Sequence, residues 1–265
     1  MCKAIDDMRN EAQTLKAYQV ALNLLKRGKE TIEEIAEDSG LTIEEVNEIA
    51  AEFIDSSGGF IAAPSANRSG RPSCTTAAHV YEDMKGIIPL IIDGGEVGIG
   101  IESTIVDMTG SRPCLLRPGI INTAMLEETV GDIDVDPSIG GVTDPDSHPK
   151  APGMKYKHYA PKAEVTLVQG DTRHFIAYLL KNQGEGVYAL VFDSDMEYCE
   201  KAGILAVPYG DTDEQRAAAF FARLRELDDR GAKAIFVRAP RTDGVGLAVY
   251  NRLIRAAGYH VVNTQ

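Results

Sequence analysis

Small hydroxyl and amide side chains and single arginines recur beside glycine and proline in the middle of this sequence. They lie in three ordered segments: residues 63–70 (APSANRSG), 102–107 (ESTIVD) and 116–119 (LRPG). Glycine-flanked turns let backbone N–H groups approach a phosphate or a carboxylate, and hydroxyl and amide groups add donors beside them. An arginine guanidinium offers a planar fork of donors to the same anions. The pattern predicts a pocket that binds a nucleotide together with an amino acid.

A fourth segment, residues 152–161 (PGMKYKHYAP), follows at a coherent spacing. Taken in this order, the four segments resemble the two-domain, YrdC-containing threonylcarbamoyl-AMP synthases of tRNA modification. The resemblance runs from about Gly58 to the C-terminus. Members of that family open with a half-domain that carries a Pro-Thr-Glu-Thr-type threonine-binding segment and a Lys-x-Arg pair for ATP. This sequence has no such segment before Ser65, so we expect that half-domain to be missing and replaced.

The resemblance implies a nucleotidyltransferase. The family reaction joins L-threonine, bicarbonate and ATP, with Mg²⁺ accompanying the ATP, to give threonylcarbamoyl-AMP and pyrophosphate. The product serves the threonylcarbamoyladenosine modification of tRNA in the cytoplasm, through downstream tRNA threonylcarbamoyl transferase proteins. By resemblance, threonine would contact Ser65 and Ser103, and ATP would contact Asn67, Thr75, Arg117 and Tyr159. The sequence identifies no catalytic nucleophile–base–acid triad and no metal-binding residues.

Each of these side chains also has a purely structural interpretation. Ser65 and Asn67 could cap a turn, Ser103 could bond within a sheet, Arg117 could hold a surface carboxylate, and Tyr159 could pack in a core. Their joint order along the chain favours a binding site over these separate explanations.

The segment that contains Tyr159 is predicted to dock on the pocket. A proline-bounded linker with tyrosines seldom lacks contacts, so we expect residues 155–161 to lie over Ser65, Asn67 and Arg117. His158 has an ordinary pKa near neutrality, which would suit a general base, but anchoring of the linker is the favoured interpretation.

Composition and charge limit the classes of function. The chain has 265 residues, 44% of them hydrophobic, and a formal net charge of −13. A surface this acidic repels phosphate backbones, so we expect no tight direct binding to nucleic acid. The sequence shows no apolar stretch of about 18 residues and no leader, so we expect no association with a membrane. The 4 cysteines and 5 histidines are scattered, which disfavours a zinc site and suits cytoplasmic thiols.

Residues 1–56 are predicted to form an acidic helical appendage. Two capping boxes of the form Thr-x-x-Glu begin at Thr31 and Thr42, and Gly40 separates them. A helix-turn-helix is the alternative. The second predicted helix carries four glutamates and no lysine or arginine, so we favour an appendage or a partner-docking element.

The remainder is predicted to be α/β: a partial YrdC-like α/β domain, then a small doubly wound Rossmann-like domain. Residues 57–130 form the C-terminal half of the YrdC-like domain, residues 131–163 an irregular linker rich in proline, and residues 164–265 the Rossmann-like domain. Strands are predicted at 60–62, 87–92, 103–107, 114–116, 165–168, 187–192, 234–237 and 260–262, and helices near 76–84 and at 173–182, 213–229 and 246–257. The last domain has no Gly-x-Gly-x-x-Gly motif, so we assign it no dinucleotide.

Two other classes of function stay open. The chain could be a non-catalytic nucleotide-binding or regulatory remnant fused to a helix-turn-helix-like segment, or, less in keeping with its charge, a DNA-binding regulator. Because the Lys-x-Arg cations are missing from the sequence, we expect the chain alone to bind ATP weakly and to turn over slowly or not at all.

Overall fold

The computed structural model describes residues 65–140 and 158–264, together with Thr42, Glu48, Ala51 and Asp55. The predicted appendage therefore lies almost wholly outside the described residues, as do the predicted strand at 60–62 and residues 141–157 of the predicted linker. The chain divides into two compact units. The first comprises residues 1–68 and 74–97, and the second comprises residues 69–73 and 98–265.

In the described part of the first unit, residues 74–76 lead into the helix α1 (Ala77–Met84). Thr76 caps this helix, since its side chain accepts a hydrogen bond from the backbone N–H of His79. Arg68 is tied to the helix at the buried Asp83, whose carboxylate accepts from the Arg68 backbone N–H at 3.1 Å. The predicted helix near 76–84 is confirmed.

The strand predicted at residues 87–92 is wrong, because these residues are not in a strand. Pro89 lacks the backbone N–H that a ladder would need. Ile87 is 64% exposed and Ile92 is 42% exposed, so the apolar run does not form a core. After this run, the backbone N–H of Gly95 donates to the Asp93 carboxylate at 2.9 Å.

The second unit contains a small sheet of three strands. β1 (Ile105–Asp107) pairs antiparallel with β2 (Cys114–Arg117), and β2 pairs parallel with β3 (Asp134–Val135). The helix α2 (Thr123–Val130) connects β2 to β3. β1 and β2 were predicted from the sequence.

The prediction of an irregular linker from residue 131 is wrong at its start. β3 and a 3₁₀ turn over Pro137–Gly140 lie there. The reason is burial: Ile133 and Ile139 pack against Leu115 of β2, which is 1% exposed. Apolar contacts with an earlier strand therefore order a segment that its prolines and glycines alone would leave irregular.

A five-stranded parallel sheet forms the rest of the second unit, with the order β6-β5-β7-β4-β8. Its strands are β4 (Glu164–Gln169), β5 (Val187–Val191), β6 (Ala206–Pro208), β7 (Ala234–Arg238) and β8 (Val261–Asn263). The helices between them are α3 (Thr172–Lys181), α4 (Met196–Lys201), α5 (Asp213–Asp229) and α6 (Gly244–Ala256). The doubly wound α/β fold predicted for this region is confirmed, although the sequence reasoning missed the short elements α4 and β6.

Two hydrophobic clusters cover the two faces of this sheet. Leu167 of β4 belongs to the cluster formed with α5 and α6, and Val168 belongs to the cluster formed with α3 and α4. Successive strand residues thus bury opposite faces, as expected for a parallel sheet between helix layers. No helix among the described residues is both long and apolar enough to cross a membrane.

Candidate functional site

Arg117 and Ser103 form a hydrogen-bonded pair in the second unit. Arg117 ends β2, and the register of the sheet places Ile105 of β1 opposite it, so Ser103 lies just beyond the paired residues. The Nε of Arg117 donates to the Ser103 carbonyl at 3.0 Å, and Nη2 donates to the Ser103 hydroxyl at 3.2 Å. The guanidinium is mostly buried, whereas Ser103 is exposed. Antiparallel pairing therefore brings together one residue predicted to bind threonine and one predicted to bind ATP.

The turn after Arg117 lies close against the backbone beside Ser103. A Cβ on Gly119 would stand 2.5 Å from the backbone nitrogen of Thr104, so only glycine fits there. The Thr104 hydroxyl donates to the Ile121 carbonyl at 2.7 Å. Segments 103–104 and 117–121 are thus held together by a close backbone approach and a hydrogen bond.

A buried ion pair lies behind these segments. Glu102 accepts a hydrogen bond from the Nε of Arg252 at 3.1 Å and another from the Ser73 hydroxyl at 2.6 Å. The Arg252 side chain is 0% exposed. Burial lowers the pKa of Arg252, and the Glu102 carboxylate opposes that shift. The sequence reasoning assigned no role to Glu102, Arg252 or Ser73, although Glu102 begins the motif 102–107. For Arg252, the signal available was a polar Asn-Arg pair inside the apolar run of α6.

Tyr159 is a core residue of the second unit. It is 3% exposed, its ring centroid lies 5.3 Å from that of Phe221, and its φ is +62°. Burial raises the pKa of the Tyr159 phenol and Glu102 raises it further, while the guanidiniums of Arg252 and Arg117 act in the opposite sense. Tyr159 therefore lies within the electrostatic reach of Arg117 and does not face solvent.

His158 is fixed beside this tyrosine. The two ring centroids are 4.1 Å apart, and the His158 backbone N–H donates to the Arg255 carbonyl at 3.3 Å. The next backbone N–H, that of Ala160, donates to the Gly70 carbonyl at 2.9 Å. Burial lowers the pKa of His158. The Glu102 carboxylate raises this pKa, and the positive charges of Arg255 and Arg117 lower it further. These contacts match the anchoring role that the sequence favoured for this segment, of which residues 155–157 lie outside the described residues.

The other three predicted site residues belong to the first unit. Ser65 is exposed, and the Asn67 amide donates to the adjacent Arg68 carbonyl at 3.1 Å. Thr75 is 2% exposed, and its hydroxyl lies 3.3 Å from Nδ1 of His79. Their contacts to threonine or ATP stay predictions, as do those of Ser103, Arg117 and Tyr159. Within the described ranges, no group of three or more His, Cys, Asp or Glu side chains could hold a metal ion.

Two family models match this chain. The model described as "Threonylcarbamoyl-AMP synthase, C-terminal domain" matches residues 121–258, and the model described as "Telomere recombination" matches residues 20–119. The second match begins upstream of Gly58, so the similarity extends further toward the N-terminus than the sequence motifs indicate, into residues expected to be unrelated to the family.

Curated relatives and a solved structure agree with these matches. The threonylcarbamoyl-AMP synthase of Pyrococcus abyssi is 42% identical over 220 residues, which are 82% of this chain and 63% of that protein. The Bacillus subtilis protein of the same name is 39% identical over 220 residues, covering 81% of this chain and 62% of its own length. The crystal structure of P. abyssi Sua5 complexed with L-threonine is 40% identical with a TM-score of 0.70, covering 82% of this chain and 64% of that one.

The chain thus spans a little under two thirds of the length of the relatives that it matches. The first model alone covers more than half of the chain, and its match includes α2 and β3 of the small sheet as well as most of the doubly wound sheet. The second model covers the segments that contain Ser103 and Arg117. This chain belongs to the threonylcarbamoyl-AMP synthase family.

Proposed function

We propose that this chain joins L-threonine, bicarbonate and ATP into threonylcarbamoyl-AMP with release of pyrophosphate. The observation that carries the proposal is the Arg117–Ser103 pair, in which a mostly buried guanidinium is fixed 3.2 Å from an exposed hydroxyl. A cation beside a hydroxyl suits a site where an amino acid meets a nucleotide phosphate. The similarity to a protein that was crystallised with L-threonine supports the choice of amino acid.

The chemistry requires positioning more than a covalent nucleophile. The threonine amine attacks bicarbonate to give a carbamate with loss of water, and a carbamate oxygen then attacks the α-phosphorus of ATP. The bond between the α-phosphorus and the bridging oxygen breaks, and pyrophosphate leaves. Positive charge near the phosphates stabilises the negative charge that develops in such a step. Arg117 is the residue of the second unit that we assign to this role.

The remaining predicted residues take supporting roles in this proposal. Within the second unit, Ser103 would contact threonine and Arg117 would contact ATP. For Ser65, Asn67 and Thr75 of the first unit, the family resemblance alone implies contacts, with threonine for Ser65 and with ATP for Asn67 and Thr75. Tyr159 is 3% exposed and packs against Phe221 at a ring distance of 5.3 Å, so its contact with ATP rests on the family resemblance and not on an exposed surface. Mg²⁺ would arrive bound to the phosphate oxygens of ATP and would neutralise part of their charge. Because the Glu102 carboxylate already accepts hydrogen bonds from Ser73 and Arg252, we do not assign it to Mg²⁺.

We also propose that the product, and not the tRNA, is the species that this chain exchanges with other proteins of the modification. The net charge of −13 opposes the approach of a polyphosphate backbone. Threonylcarbamoyl-AMP carries a single phosphate group and is repelled far less. A tRNA threonylcarbamoyl transferase protein would then consume it.

The test is an assay of the purified chain with L-threonine, bicarbonate, Mg²⁺ and labelled ATP. Pyrophosphate release that depends on both threonine and bicarbonate supports the proposal, and the adenylate product is identified by mass spectrometry. Omission of threonine is the internal control, because plain ATP hydrolysis would persist without it. Binding of threonine and ATP without any product would favour the non-catalytic nucleotide-binding function instead, and failure to bind either ligand contradicts both.

A further inference from the structure

We propose that Arg252 of α6 is a positioning residue for the site that contains Ser103 and Arg117. The inference rests on the proposed function for the identity of the ligands. The claim that Arg252 fixes the segments containing Ser103 and Arg117 is independent of that function. Arg252 lies on α6, in the helix layer that covers one face of the doubly wound sheet. Its hydrogen bonds end on Glu102 and Pro118, the residues directly beside Ser103 and Arg117.

One guanidinium holds both segments of the site. Nε of Arg252 donates to the Glu102 carboxylate and Nη2 donates to the Glu102 carbonyl, each at 3.1 Å, and Nη1 donates to the Pro118 carbonyl. Glu102 directly precedes Ser103, and Pro118 directly follows Arg117. A rigid, planar group therefore fixes the backbone on the N-terminal side of one site residue and on the C-terminal side of the other.

A third segment is joined to the same network. The Ser73 hydroxyl donates to the second oxygen of the Glu102 carboxylate at 2.6 Å, and Ser73 is 8% exposed. The loop 69–73 is also held from α5, because Nη2 of Arg225 donates to the Pro72 carbonyl at 2.6 Å. The helices α5 and α6 thus set the positions of three loops that are far from them in sequence.

The burial of this network makes its geometry costly to disturb. The Arg252 side chain is 0% exposed and that of Glu102 is 17% exposed, so water cannot readily replace a lost partner. Removal of the guanidinium would take one donor from the Glu102 carboxylate, which keeps that of Ser73, and one donor from each of the Glu102 and Pro118 carbonyls. The loops would then shift, and a displacement of about 1 Å at a binding or reacting group commonly reduces activity about 10²-fold.

The experiment compares two variants of Arg252 with a matched control in the full chain. Arg252→Met keeps much of the volume and removes all the hydrogen bonds of the guanidinium. Arg252→Lys keeps the charge, but its three donors sit on one nitrogen and cannot span the acceptors on Glu102 and Pro118 as the planar guanidinium does. Arg216→Met is the control: Arg216 is also buried and on a helix of the same sheet, but its hydrogen bonds end on Asp213, Gly210 and Asp211.

Two readouts are measured for each variant. Isothermal titration gives the affinities for L-threonine and for ATP with Mg²⁺, and hydrogen exchange gives the protection of the amides in residues 102–104 and 117–121. We expect Arg252→Met to weaken both affinities about 10²-fold and to deprotect both segments. Arg252→Lys should keep part of the affinity and part of the amide protection that Arg252→Met loses. Arg216→Met should lower the melting temperature and leave both the affinities and the protection of these two segments unchanged.

The outcomes separate this inference from the proposed function. If the wild-type chain binds neither ligand, the proposed function fails, and hydrogen exchange alone decides on Arg252. If Arg252→Met leaves both segments as protected as in Arg216→Met, Arg252 does not position them. If exchange rises but the affinities match those of the control, Arg252 has a structural role only, and the inference is overturned.

Discussion

At the scale of single residues, Arg117 is the clearest test of the site. Its guanidinium makes two hydrogen bonds to Ser103, one to the carbonyl and one to the exposed hydroxyl. We expect Arg117→Lys to weaken ATP binding by about 10-fold or more, because an ammonium cannot reproduce a two-donor fork and a hydrogen bond to a charged group contributes about 1.5–3 kcal/mol. Titration calorimetry measures the change. Arg112→Lys, at an exposed arginine paired with Asp132 and Asp134, is the control and should bind as the wild type does.

His158 makes stability depend on pH. Burial lowers its pKa below the ordinary value of 6.5, so the folded state prefers the neutral imidazole. In the unfolded chain the ring binds a proton as the pH falls through 6.5, and the free energy of unfolding therefore decreases toward acid. We expect His158→Gln to flatten the loss of stability between about pH 7.5 and about pH 5.5 in urea denaturation.

This pH window isolates the histidine from the carboxylates. Hydrogen bonds to backbone and side-chain groups lower the pKa of Asp171 and Asp211 below 3.8. Their contributions to stability are complete above that value and are lost only in stronger acid. Equal pH dependence in the wild type and in His158→Gln would show that His158 does not contribute.

Cys199 should be inert toward alkylation. It is 0% exposed, and burial followed by the charge of Asp195 raises the pKa of its thiol to about 11. Only the thiolate reacts, so at about pH 8 we expect iodoacetamide to modify the partly exposed Cys114 well before Cys199. Mass spectrometry of peptides over time gives both rates, and denaturant should make them equal. Comparable rates in the native chain would contradict the burial of Cys199.

At the scale of elements, the loop that contains Gly100 packs directly against the backbone of α5. A Cβ at this position would lie 2.5 Å from the Ala217 carbonyl oxygen and 2.6 Å from the Ala218 Cα, and its φ is +73°. We expect Gly100→Ala to lower the free energy of unfolding by about 1–3 kcal/mol through overpacking, in addition to about 1 kcal/mol for the backbone conformation.

The control for this prediction separates the two effects. Gly131 has a φ of +76°, but no heavy atom of the described chain lies within 4 Å of its added Cβ. Gly131→Ala should therefore show the backbone term alone in the same denaturation experiment. If the two variants lose equal stability, the contact between the loop and α5 is looser than the structure indicates.

Local sequence signals were sufficient for the elements with strong periodicity or caps. The helix predicted at 213–229 matches α5 residue for residue, since Thr212 begins it with a capping box to Gln215. Short elements were missed or misassigned because tertiary contacts decide them. Residues 134–135 form β3 by pairing with Cys114 and Leu115, and no local pattern indicates that pairing.

The candidate site also divides into residues that local motifs indicate and residues that only tertiary contacts bring together. Motif order identified Ser103 and Arg117, and the antiparallel register places them in contact. The Glu102–Arg252 pair joins residues 150 positions apart, so no local spacing could predict it. Thr75 and Tyr159 are both nearly buried, which the sequence did not indicate. Motif order can thus suggest ligand-binding residues, whereas the residues that hold them in place follow only from tertiary contacts.

At the scale of the whole molecule, the second compact unit crosses the predicted domain boundary at residue 163. It includes the small sheet, residues 69–73 and the doubly wound sheet. Ile101 and Tyr159 lie upstream of that boundary, yet both belong to the core cluster of α5 and α6. Asp228 of α5 also accepts hydrogen bonds from the backbone N–H groups of Lys162 and Ala163. The boundary at residue 163 stays a prediction, but a domain cut there would lose part of its core.

A fragment of residues 164–265 should accordingly be less stable than the same residues in the whole chain. It keeps the five-stranded sheet but loses the burial of Ile101 and Tyr159, and each such side chain contributes about 1.5–3 kcal/mol when fully buried. For about 100 residues, each 1 kcal/mol lowers the melting temperature by roughly 4–8 °C. Thermal unfolding followed by circular dichroism measures the difference, and hydrogen exchange in α6 locates it. A longer fragment, 158–265, restores the contact of Tyr159 with Phe221 and should melt at an intermediate temperature. If all three melt together, the two sheets are independent, and the core shared by Ile101, Tyr159 and the helices contributes little to stability.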